Sequence, residues 1–72
     1  MLAPGTKVKL DTDPKLYMVG DDGKLHWLTS QAVAYSIYGS QWNQNVIEMN
    51  YEQLVPYTYG MSVESEADVL EI

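Results

Sequence analysis

Gly20-Asp21-Asp22-Gly23 constrains this chain most, because it separates two short runs rich in apolar and aromatic residues, Lys15 to Val19 and Lys24 to Leu28. Glycine has no Cβ and adopts the positive φ that a tight hairpin turn needs, so Asp22-Gly23 can reverse the chain between two paired strands. A β-hairpin over 15–28 follows. On a period of two, Leu16 and Met18 share one face and Tyr17 and Val19 the other, while Leu25 and Trp27 oppose His26 and Leu28. Apolar residues stand on both faces, so both need cover.

The rest of the chain supplies it. Thr6 to Leu10 alternates polar and apolar after the Pro4-Gly5 turn and reads as a short strand, and Asp11-Thr12-Asp13-Pro14 then turns the chain. Thr29 and Ser30 are N-cap residues for one main helix at about 30–38. Gly39 stands at its C-terminal cap, and Val33, Ala34, Ile37 and Tyr38 give it a single apolar face. Ser40 to Asn45 reads as a loop pinned by Trp42, and Val46 to Met49 as a short strand. Asn50 with Gln53 forms a capping box for one helical turn that Pro56 ends, and Met61 to Val63 reads as a last strand after Gly60. The expected fold is α+β: a small antiparallel curled sheet of three to five short strands with one helix against it. Residues 1–63 form the module and 64–72 an acidic tail, for which strand, helix and disorder all stay open.

A chain of 72 residues with no cysteine has neither a disulfide framework nor thiolate metal ligands. The formal charge is −6, and residues 25–72 hold six acids and no base. Nucleic-acid binding relies on cations that displace counterions from phosphate, so a chain without arginine and this acidic is a poor candidate for it. No apolar run reaches the roughly 18 residues of a membrane span. Met1 to Pro4 is no signal peptide, so an export signal would lie outside this sequence.

The order of motifs resembles a repeated module of large exported or surface proteins of candidate-phyla (Patescibacteria) bacteria. Tyr17-Met18-Val19-Gly20-Asp21-Asp22-Gly23-Lys24 corresponds to its hairpin motif, and Ala34-Tyr35-Ser36-Ile37-Tyr38-Gly39 to its helix end. Val46-Ile47, Leu54-Val55-Pro56-Tyr57 and Gly60 to Val63 follow its remaining pattern more loosely, so that the resemblance covers residues 5 to 63. It implies a β-rich unit of a surface or envelope-associated chain, extracellular or at the cell surface, with no catalytic residues to carry over. After Val63 the chain departs from that pattern: Glu64-Ser65-Glu66 stands where the module continues with Arg-Pro-Gly. A terminal unit, a single-module protein and an excised fragment all fit.

Candidate chemistry is sparse. His26 is the single histidine, so it cannot build a histidine metal cluster, and a lone strand histidine is more often a hydrogen-bonded sheet residue than an acid or base. Asp11, Asp13, Asp21 and Asp22 lack calcium-loop spacing and read as turn formers. No enzyme activity, cofactor or metal is expected. Six tyrosines and two tryptophans without phenylalanine suit an interface, since such rings combine contact area with a polar handle. Tyr51, Tyr57, Tyr59 and Trp42 form the candidate interaction surface. The competing reading is that these rings build the core. The expected function is a non-enzymatic structural or protein-interaction module, monomeric in isolation, whose partners are proteins or cell-surface components. The alternative is a stand-alone acidic inhibitor or adaptor, in the cytoplasm, that binds a basic protein.

Overall fold

The computed structural model describes residues 2–72. Strands β1 (Lys7–Leu10), β2 (Leu16–Val19) and β3 (Leu25–Leu28) precede helix α1 (Gln31–Tyr38), which runs on into a 3-10 turn, Gly39–Gln41. Strand β4 (Ile47–Met49), helix α2 (Tyr51–Leu54) and a C-terminal 3-10 helix (Glu66–Glu71) complete the α+β fold. The sheet order is β3-β2-β1-β4.

The hairpin forms as its sequence indicates, with Leu16 opposite Leu28 and Val19 opposite Leu25. Gly23 takes a φ of 76°, and the Asp22 carboxylate accepts the Lys24 amide at 2.9 Å, fixing the turn from its own side chain. Strand β1 adds antiparallel to β2, but β4 adds to β1 in parallel, so the sheet is mixed where an antiparallel one was expected. The reason is the connection. A helix laid across a sheet returns the chain to the end it left, and the strand that follows runs parallel to the one before the helix. Turn signals alone do not reveal this.

Ser30 caps α1, its Oγ accepting the Val33 amide at 3.2 Å, a contact that contributes about 1 kcal/mol. Gly39, at φ 70°, closes the other end by donating its amide to the Tyr35 carbonyl. Val33 and Ala34 are buried against Met18, Leu28 and Val63, with Ile37, Trp42, Val69 and Ile72 packed round them. Across the sheet, Val8, Val19, Leu25 and Leu54 form a second core, margined by Tyr17, Met49 and Tyr57. Both sheet faces are covered. Helix α2 carries the Asn50–Gln53 capping box, with reciprocal bonds of 2.9 Å, and its Leu54 fills the second core.

The chain after Pro56 covers the outer edge of β3. Met61 to Val63 does not form the expected strand; Tyr59 and Val63 make isolated parallel bridges to Leu25 and Leu28. Four residue steps here face three on β3, so one residue bulges between the bridges, and the Met61 carbonyl turns toward His26. The tail folds back as the 3-10 helix. Asp68 accepts the amides of Glu64 and Ser65 at 2.9 and 3.2 Å, and Val69 and Ile72 reach the core beside α1.

Candidate functional site

The buried apolar side chains are all valine, leucine, methionine or alanine. None of the eight aromatic rings joins them. Tyr17, Trp27, Tyr38, Trp42 and Tyr57 are half-buried, and Tyr35, Tyr51 and Tyr59 are 55%, 72% and 58% exposed. Rings that margin a core while facing solvent offer contact area already held in one geometry.

The expected surface of Tyr51, Tyr57, Tyr59 and Trp42 divides between the two sides of the sheet. Tyr57 packs on the core under α2, and Tyr59 leans over Tyr17, their ring centres 5.5 Å apart and their planes 56° from parallel. Tyr51 stands exposed at the first position of α2. Trp42 belongs to the opposite side, against the α1 core. Tyr17 and Trp27 were not among the candidates. They are direct cross-strand partners, so Tyr17 sits in register with Trp27 and touches Tyr59. The hairpin register contained the first pairing; the second required the fold. Burial, then the neighbouring Tyr59 and Asp13, pushes the Tyr17 phenol above its ordinary pKa.

Trp42 lines two open grooves. One, of about 330 Å³, runs between Trp42 and Trp27 with Lys15, Leu16 and Gln31 in its walls. The other, of about 460 Å³, has Lys9, Glu48, Asn43 and Asn45 in its walls. Pro14, Leu16 and Trp42 line both. Both tryptophans of the chain therefore face the first groove.

Lys7, Lys9 and Lys15 have unequal freedom. Lys7 is buried on the α1 side, its ammonium donating to the Gln41 carbonyl at 2.7 Å and lying 4.8 Å from the Tyr38 ring centre. Tyr38 donates to the Gly5 carbonyl at 2.9 Å, and burial pushes its phenol up to about 12. Lys9 lies 3.9 Å from Glu48. Lys15 lies 5.1 Å over the Trp27 ring and, among the described residues, has no carboxylate within ion-pair distance.

His26 is 1% exposed, and both its ring nitrogens are engaged. Nδ1 lies 2.8 Å from the Met61 carbonyl and Nε2 3.0 Å from the Asp22 carboxylate. Both partners present oxygen acceptors to the ring. The bond from His26, then the one from the Lys24 amide, holds the Asp22 carboxyl below its ordinary pKa. Gly20 and Gly60 make room for the ring: a Cβ on Gly20 would meet His26 Cδ2 at 2.8 Å, and one on Gly60 would run into Cε1. Sequence reading placed His26 in the sheet but gave no sign that these glycines frame it.

The aspartates act as turn formers, Asp13 accepting the Lys15 amide at 2.9 Å as Asp22 accepts that of Lys24. Among the described residues no three His, Asp or Glu side chains gather as metal ligands, and no helix is long and apolar enough to cross a membrane. No family model, curated protein or solved structure matches the chain.

Proposed function

We propose that this chain is a non-enzymatic interaction module of a bacterial surface or exported protein. The observation that carries the reading is the placement of the aromatic rings. None of the eight is buried, while valine, leucine, methionine and alanine side chains, with His26 and Lys7, fill the interior. Tyrosine and tryptophan are the residues most enriched at binding hot spots, because a large rigid ring buries area with little loss of rotamer freedom. The engaged state of His26 supports a role without chemistry at that residue. The resemblance of residues 5 to 63 to a surface-protein module supports the location.

The test is site-specific cross-linking in cells that make the protein. A photoreactive phenylalanine derivative at position 51 or 59 should couple to a discrete protein partner, and the same group at position 32, on the exposed side of α1, should not. The conjugate should also be labelled by a membrane-impermeant amine reagent. Equal coupling from all three positions would refute the interaction surface, and a product labelled only after lysis would refute the location.

A further inference from the structure

Given the interaction-module reading on which it rests, we infer that the double groove around Trp42 takes an extended, proline-rich peptide segment bearing a carboxylate. Three features support this occupant. First, tryptophan stands in the walls beside Leu16 and Pro14, Trp42 in both grooves and Trp27 in the first, and proline rings dock against aromatic side chains in grooves that read polyproline helices. A segment in that conformation is already extended, so little chain entropy is lost when it binds. Second, such a segment has no internal hydrogen bonds and presents free carbonyls. Gln31 lines one groove and Asn43 and Asn45 the other; their amide side chains make no hydrogen bond among the described residues and can donate to those carbonyls.

Third, the charge is complementary. On a chain of net charge −6, the Trp27–Trp42 groove has a base in its wall, Lys15, and no acid. The neighbouring groove balances Lys9 with Glu48. A carboxylate on the ligand therefore meets Lys15, which already lies over Trp27, without facing a like charge in that groove. Each groove falls in the size range of small-ligand pockets, roughly 300–1,000 Å³. The two share Pro14, Leu16 and Trp42 in their walls.

Both tryptophans line the first groove, so intrinsic emission reports on it directly. Acetyl-Pro-Pro-Glu-Pro-Pro-amide should produce a saturable blue shift as water leaves the indoles, and the peptide with glycine in place of every proline should not. Lys15→Gln should weaken binding about threefold, the scale of an exposed ion pair. Replacing the peptide glutamate by glutamine should weaken it equally, and the two changes together should cost no more than one. Lys15 is exposed and the variant keeps the fold, which an unchanged melting temperature verifies.

Any one of four results overturns the inference: no emission change, an equal response to the glycine peptide, an equal response to chitin oligosaccharides, or sedimentation as a dimer that hides the tryptophans. The cross-links from positions 51 and 59 depend on neither groove, so they decide the broader reading separately.

Discussion

Replacing Gly60 by alanine tests how tightly the buried His26 ring is held. The backbone there lies outside the positive-φ region, so the new methyl meets a steric barrier and no conformational one. It would run into His26 Cε1 and stand 2.8 Å from Nδ1 and 2.9 Å from Nε2. The ring cannot retreat, because Met61 and Asp22 hold it from two sides and Gly20 packs against it. Overpacking of this kind costs about 1–3 kcal/mol, and loss of the bond to the Met61 carbonyl about 1 more. Against roughly 4–11 kcal/mol for a domain of this length, a loss of about 2–4 kcal/mol should lower Tm by roughly 10–30 °C. Thermal unfolding followed by circular dichroism reads it. In a His26→Ala background the same methyl enters vacated space and should cost under about 1 kcal/mol, so the two changes couple strongly. Additive losses, or a Gly60→Ala protein as stable as the parent, would refute the packing argument.

Two further predictions concern protons. Asp22 titrates below its ordinary value of 3.8 in the folded chain, so its contribution to stability is present above that value and fades as pH falls through the folded pKa. Urea unfolding between pH 6 and 2 should show the advantage of the parent over Asp22→Asn shrinking at the acid end. Tyr38 has the opposite sign: with its phenol at about 12, the folded state resists ionisation, and stability falls as pH rises from 10 through 12. Ultraviolet titration should resolve one late tyrosine that disappears in Tyr38→Phe.

The elements set by local chemistry were legible in the sequence. The hairpin, the Ser30 and Gly39 caps and the Asn50–Gln53 box each depend on residues within a few positions of one another, and each is present. What stayed hidden depends on contacts across about 35 residues. The parallel addition of β4 follows from the path of the α1 crossover, and the bulge at Met61 from the reach of its carbonyl to His26. The same holds for the candidate surface. Composition pointed to tyrosine and tryptophan as candidates. The meeting of Tyr59 with Tyr17, and of Trp42 with Trp27 across a groove, appears only once the strands are registered.

A chain this short would stabilise itself most simply by burying its rings. Taking a side chain of that class from water contributes about 1.5–3 kcal/mol, yet the interior holds His26 and Lys7 while Tyr51 stays 72% exposed. Polar groups inside are stable only when they are hydrogen-bonded, as Lys7 is to the Gln41 carbonyl and His26 is to Met61 and Asp22. If Tyr51 serves contact and not folding, Tyr51→Ser should change unfolding free energy by no more than about 0.5 kcal/mol, since serine and tyrosine have similar helix propensities and the ring makes no core contact. The same substitution should abolish partner capture through a cross-linker held at position 59. A loss of 2 kcal/mol or more would assign the ring to the fold, and undiminished capture would remove it from the surface.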